Sequence, residues 1–171
     1  KYVLGPLCTP AYQSVTGLFN DNKISFIHTS GVADAHVLTA GEYGVPGISS
    51  DQFAEMKYLA DFVYNQRNIR KMALLTWNQE WAMQYRLGFL KYYQELGGQI
   101  VLDEQFNTED TEYRTQVTKI AHSGADGVLV VGLNYQAADI VQQLRLIDSD
   151  IPIFGQLDND DPSFLAAVGD A

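Results

Sequence analysis

From residue 71 onward, short apolar runs alternate four times with segments striped at helical spacing, and few folds accept that pattern. Met72-Ala73-Leu74-Leu75-Thr76 is a continuous apolar run, as expected of a strand buried on both faces. Ala82, Tyr85, Phe89, Tyr93 and Leu96 then recur at spacings of three and four, one apolar stripe along a helix. Gly97-Gly98 ends that helix, since glycine takes the left-handed C-cap conformation without steric penalty. A second strand opens at Ile100-Val101-Leu102 and runs to about Phe106. Thr108 and Asp110 offer N-cap oxygens to a helix with Tyr113, Val117 and Ile120 inward, closed by Ser123-Gly124. Gly127 to Gly132 reads as a third buried strand, and Ala137, Ile140, Val141, Leu144 and Ile147 stripe a third helix. Ile151 to Gly155 is the fourth strand. Asp161-Pro162 starts a last helix, with proline in the first turn, where its missing N–H has no partner to lose. The repeat predicts an α/β class: parallel-sheet layers with helices on both faces.

The first seventy residues are less regular. Tyr2 to Leu4 reads as a strand, Pro10 to about Phe19 as a helix, and Ile24 to Ile27 as a second strand. A loop-rich stretch with Gly31, Gly41, Gly44, Pro46 and Gly47 follows. Ser50 or Asp51 then caps a helix carrying Phe53, Met56, Ala60 and Val63. Asn65 to Arg70 is polar and reads as a crossover, which places a boundary between residues 1–70 and 71–171. Because the chain begins inside a strand, the expectation is that a preceding segment is missing.

Charge and motifs exclude several function classes. Eleven Lys plus Arg against twenty-one Asp plus Glu give a formal charge of −10, with no basic stripe, so no nucleic acid is expected as partner. No apolar run approaches the eighteen or so residues that cross a bilayer. No glycine-rich phosphate loop and no nucleophile elbow is present, and the three histidines are scattered. Gly41, Gly44 and Gly47 do not sit between a strand and a helix and are read as loop flexibility. The acidic run at Asp158-Asn159-Asp160-Asp161 lacks the glycine and glutamate of a calcium loop, and Asp160 or Asp161 is read as a helix cap. The expectation is no enzyme, no metal and no cofactor.

Ligands of open parallel sheets sit outside the carboxyl ends of the strands, which nominates 7–10, 28–32, 77–81, 133–135 and 156–160. Thr9 stands where a helix begins, either as a plain N-cap or, with the free N–H groups there, as a carboxylate site. Trp77 and Trp81 are either core or a lid that stacks on a ligand. Asp158 either pairs with a ligand ammonium or is simply solvated. His28 follows a strand at the ligand edge, while His36 reads as a surface loop residue and His122 as structural. The one cysteine, Cys8, reads as a small buried residue or as half of a disulfide with an upstream partner.

The segments "YVLGPLCTPAYQSV", "ISFIHTSGVADAH", "KMALLTWNQEWAMQYRLGFLKYYQELGGQIVLDEQF", "ADGVLVVGLNYQAADIVQQLRL" and "IPIFGQLDNDDPSFL" together span essentially the whole chain. In order and spacing they resemble the type I periplasmic binding proteins, and among them the branched-chain amino acid group (leucine/isoleucine/valine) that serves ABC transporters. The resemblance implies two α/β lobes with a small-molecule ligand in the cleft between them. Residues 1–70 would be part of a first lobe that is incomplete here, and 71–171 most of the second.

The resemblance also implies roles. Thr9 matches the hydroxyl residue that holds a ligand carboxylate, and Ser30, Gly31 and Val32 match a loop that supplies backbone and hydroxyl contacts. Trp81 matches an aromatic of the second lobe, and Leu133 stands where a tyrosine is common. Asp158 lies one place beyond the expected ammonium-binding acid, a position taken by Leu157. Cys8 matches a cysteine with an upstream disulfide partner. The implied ligand is an amino acid or a related carboxylate or amide. The implied partners are the membrane subunits of an ABC transporter, and the implied location is periplasmic or extracytoplasmic, lipid-anchored or free. The alternative is a ligand-sensing domain of a receptor or regulator with the same fold.

Overall fold

Hydrogen bonding divides the strands into two separate parallel sheets. The computed structural model describes residues 1–29, 40–45, 51–147, 150–156 and 159–169. The first sheet has the order β1-β2-β3, with β1 (Tyr2–Leu4), β2 (Ser25–Ile27) and β3 (Gly44–Val45). Helix α1 (Thr9–Asp21) connects β1 to β2 and packs the buried Tyr12 and the half-buried Phe19 against Phe26, with ring centroids 6.0 and 5.2 Å apart. Strand β3 falls within the stretch read from sequence as loop. Two residues carry no periodicity, and its glycine is there for space: a Cβ on Gly44 would lie 2.4 Å from the Ala40 carbonyl oxygen.

The second sheet has the order β5-β4-β6-β7, with β4 (Lys71–Trp77), β5 (Gln99–Phe106), β6 (Gly127–Val131) and β7 (Ile153–Phe154). Its helices are α3 (Glu80–Glu95), α4 (Arg114–His122), α5 (Asn134–Arg145) and α6 (Pro162–Val168). The alternation read from residue 71 onward is therefore present element by element. Met72 through Trp77 and all of β6 are buried, which is why both strands read as unbroken apolar runs. Connections run from β4 outward to β5 and then back past β4 to β6. The strand order thus reverses between β4 and β6, the place where an open α/β sheet leaves a crevice at its carboxyl edge.

Four details differ from the sequence reading. Helix α4 starts at Arg114, after Tyr113, and neither Thr108 nor Asp110 caps it. Asp110 instead accepts the Asn107 N–H at 2.7 Å and closes a turn, while the buried Tyr113 donates its hydroxyl to the Asp110 carbonyl at 2.8 Å. Cys8 is exposed, so its reading as a small buried residue does not hold. His28 is fully buried, and its setting is described below. The fourth concerns residues 51–69, grouped by sequence with the first layer. Asp51 caps α2 (Gln52–Asp61) through Phe53 and Ala54, and a π-helical turn comes next over Phe62–Gln66. Met56, Ala60, Val63 and Ile69 share one core with the second sheet. By packing, this segment belongs to the second layer.

The α2–α3 contact depends on a glycine. A Cβ at Gly88 would lie 2.5 Å from the Phe53 carbonyl oxygen and 3.1 Å from the Met56 Cβ. Nearby, the buried Tyr93 donates to the Ile69 carbonyl at 3.0 Å and stacks on Phe89 at 5.0 Å. Burial raises its phenol to about 12, against the opposing pull of Arg70. The first sheet is less well covered. Tyr2 (90% exposed), Leu4 (75%), Ile27 and Val45 line an open concavity of about 370 Å³.

Two consequences of the second core are testable. Gly88→Ala should gain up to about 1 kcal/mol of helix propensity yet lose about 1–3 kcal/mol to overpacking. Urea unfolding should therefore show net destabilisation, and a rise in stability would mean α2 can move away freely. The raised Tyr93 phenol sets an alkaline limit. Its contribution is complete below the unfolded value near 10 and is lost as pH rises towards 12. The urea midpoint should fall across that interval, and less steeply in Tyr93→Phe; equal slopes would remove Tyr93 from the account.

Candidate functional site

Of the helices that start at the carboxyl edges of the two sheets, α1, α3 and α5 supply the first turns of the candidate site. In the first layer Cys8 precedes α1 and makes no capping hydrogen bond, with Thr9 as the first helical residue and Pro10 the second. The early N–H groups of such a helix have no intrahelical acceptor. His28, at the end of β2, places its Nδ1 2.7 Å from the Pro6 carbonyl oxygen, and its ring lies 4.5 Å from that of Tyr12. A carbonyl only accepts, so Nδ1 carries the proton. His28 braces the loop that leads into α1, and its burial removes it from the cleft-lining candidates.

In the second layer Trp77 ends β4 and is 8% exposed, packed edge-on against Trp81 with centroids 5.7 Å apart. Trp81, in the first turn of α3, is half-buried and also meets Tyr85 edge-on at 6.1 Å. Trp77 is thus core, whereas Trp81 keeps part of its surface free at the carboxyl edge.

The start of α5 has a different chemistry. Its cap residue, Leu133, has no side-chain oxygen, and Gln136 in the first turn accepts the Leu133 N–H at 3.1 Å through Oε1. Leu133 (38% exposed), Asn134, Tyr135 and Gln156 line an open cavity of about 310 Å³. Behind it lies an amide network. The buried Gln156 donates Nε2 to the Gly132 carbonyl at 3.0 Å, and its N–H reaches Asn159 Oδ1 at 3.1 Å. Asn159 in turn donates to Asn134 Oδ1 at 3.2 Å. Gly132 is required here, because a Cβ would lie 2.8 Å from the Phe106 ring. Among the described residues the cavity lining holds no carboxylate and no amine.

A side-chain hydrogen bond ties the layers together across this edge. Gln13 Nε2, on α1, donates to Glu80 Oε2, at the start of α3, over 2.6 Å.

Of the residues nominated from sequence, the structure brings Trp81 and Leu133 to the carboxyl edge of the second sheet, on opposite sides of its switch point. Position 9 lies in the first turn of α1. Ser30, Gly31, Val32 and Asp158, and also His36, lie outside the described residues. Sequence spacing does not single out Gln156 or Asn159, although both fall in the range 156–160, nor the buried Gln136 behind them. The available signal was a glutamine three places after a residue that cannot cap a helix. Among the described residues no three His, Cys, Asp or Glu side chains gather as a metal site, and no helix is long and apolar enough to cross a membrane.

The Gln13–Glu80 contact can be tested directly. A double-mutant cycle with Gln13→Ala and Glu80→Ala should give a coupling of about 0.5 kcal/mol, the scale of an exposed charge-assisted pair. Zero coupling would mean that the layers are not joined by this bond.

The fold is shared with known proteins. The chain superposes on LivJ, the branched-chain amino acid transporter substrate-binding protein of Streptococcus pneumoniae, solved with isoleucine, with a TM-score of 0.84 and 24% identity. That match covers 98% of this chain and 47% of LivJ. The leucine-binding protein LivK of Thermotoga maritima gives 0.85 at 16% identity, over 98% of this chain and 47% of LivK. A solute-binding protein of an R. palustris ABC transporter, in complex with 4-hydroxybenzoate, gives 0.87 at 19%, over 99% of this chain and 46% of its own. The chain therefore spans about half the length of these relatives. No curated protein matches it significantly. The family model described as periplasmic binding protein matches residues 1–171. With two parallel α/β layers whose helix starts meet at their carboxyl edges, the chain belongs to the periplasmic binding protein family.

Proposed function

We propose that this chain forms part of an extracytoplasmic solute-binding protein of an ABC transporter, which closes two lobes on a small carboxylate. The observation that carries this is the meeting of two helix starts from two separate sheets, α1 and α3, across 2.6 Å between Gln13 and Glu80. A solute lodged between them touches both lobes only when they are closed, so its binding energy favours that state. The membrane subunits of the transporter then recognise the closed form. No chemical step is needed.

Position 9, with Ser30, Gly31 and Val32, belongs in this reading to the wall that holds the carboxylate. Trp81, Leu133 and Asp158 belong to the opposite wall. A helix start suits a carboxylate, because its free N–H groups and dipole both favour negative charge. The isoleucine bound by LivJ and the 4-hydroxybenzoate bound by the R. palustris protein have a carboxylate in common, which supports that class. The lobe division proposed here falls before α2, since residues 51–69 pack with the second sheet.

The test is a thermal-shift panel of amino acids, aliphatic and aromatic carboxylates and amides on the intact protein that carries this chain. A cognate solute at a hundred times its Kd adds about 2.7 kcal/mol of stability. Trp81→Ala should weaken that solute more than tenfold, about 1.4 kcal/mol. Unchanged affinity would return Trp81 to a packing role, and a panel without any shift would overturn the proposal.

A further inference from the structure

We infer that the cavity between α5, β7 and α6 is a second small-molecule site, which takes a monocarboxylate whose apolar body is about the size of a benzene ring. It lies apart from the crevice and does not depend on the solute-binding reading above.

The lining follows from the helix period. Ala137, Val141 and Arg145 recur every four residues and so stand in line along one face of α5. Phe154 on β7, with Phe164 and Val168 four residues apart on α6, closes the other side. The space between them is about 150 Å³. An apolar cavity of that size stays dry and accommodates benzene. Helix α6 covers it without burying any residue of its own, and Phe164 and Val168 remain half-buried. Gln142 Nε2 donates to the Ala167 carbonyl at 2.6 Å and ties this helix to α5. An apolar guest would give Phe164 and Val168 the contacts that the helix itself does not supply.

Charge sets the polar end of the guest. Among the described residues, Arg145 is the only charged side chain in the lining. Its Nη1 donates to the Ile151 carbonyl at 2.8 Å, which uses one of the five N–H groups of a guanidinium. Among the described residues it takes part in no ion pair, although the chain holds twenty-one Asp and Glu against eleven Lys and Arg. A guanidinium holds a carboxylate through two parallel N–H···O bonds, so a carboxylate is the group that matches this end.

The other polar side chain of the lining, Asn159, has both ends of its carboxamide in use. Its Oδ1 accepts the Gln156 N–H at 3.1 Å, and its Nδ2 donates to Asn134 Oδ1 at 3.2 Å. Asn134 and Gln156 line the crevice cavity, so this amide network stands between the two spaces. The cavity beneath α6 therefore offers one cationic end and an apolar body, with no carboxylate for an ammonium among the described residues.

The experiment is methyl NMR on the intact protein that carries this chain, titrated with benzoate and with benzyl alcohol, an uncharged probe of the same size. Benzoate should shift the methyl signals of Val130, Val141 and Val168, which line the cavity, with a Kd at least tenfold below that of benzyl alcohol. Arg145→Gln should remove that margin. Val168→Phe, which sets a ring into the space from α6, should weaken both probes at least tenfold. The two probes on the unmodified protein decide the matter even if neither variant folds. Shifts confined to Leu133 would place benzoate in the crevice and overturn the inference. Benzyl alcohol binding as tightly as benzoate would overturn it too. So would unmoved valines, the outcome if another segment of the intact protein fills the cavity. Each of these results leaves the solute-binding reading to be judged by the thermal-shift panel.

Discussion

Strand β4 must be covered on both faces, and the arrangement of the second layer stems from that requirement. Six consecutive residues, Met72 to Trp77, are buried, and five of them pair in register with β6 on one side. Strand β5 pairs on the other, with a register shift between Met72 and Ala73. Burying each such Leu or Met side chain contributes about 1.5–3 kcal/mol, so a face left open would forfeit much of the layer's stability. The chain satisfies the requirement by winding outward to β5 and then back past β4 to β6. That reversal separates the loop after β4 from the loop after β6, and the crevice between them is a by-product of covering one strand twice.

The same crevice explains why its walls differ in character. After β4, Trp77 continues the core and Trp81 extends it towards solvent, so that wall is aromatic. After β6, the Phe106 ring presses against Gly132 and the helix begins at a leucine, so that wall is made of backbone N–H groups and carboxamides. Among the described residues, the side chains that line the second wall, Leu133, Asn134, Tyr135 and Gln156, carry no charge.

The two layers are unequal partners. The second has a continuous core that also recruits α2, through the close approach of Gly88 to the Phe53 carbonyl. The first has strands of two or three residues and exposes Tyr2, Leu4 and Val45 on one face. Parallel sheets are normally covered on both faces, and the chain spans about half the length of its solved relatives. The layer with the better core carries most of the described site, while the other contributes α1 and the loop braced by His28.

What the sequence determined by itself was whatever depends on neighbours along the chain. The unbroken apolar runs of β4 and β6, the stripes of α3 and α5, the glycine stop after α3 and the Asp51 and Asp161 caps are all written in local spacing, because strands and helices form by short-range geometry. The nomination of strand ends was legible for the same reason, since parallel strands joined by helices leave their loops on one side. Tertiary structure decided what depends on distant approach. Residues 51–69 pack with the second sheet because Gly88 admits the Phe53 backbone, and no local pattern records which later helix will arrive. His28 became a buried brace because the Pro6 carbonyl lies 2.7 Å away across the fold. Gln156 reached the end of β6 because its carboxamide meets the Gly132 carbonyl at 3.0 Å, a contact that local spacing does not record. Spacing along the chain reports which face a side chain occupies, and only packing reports what it meets there.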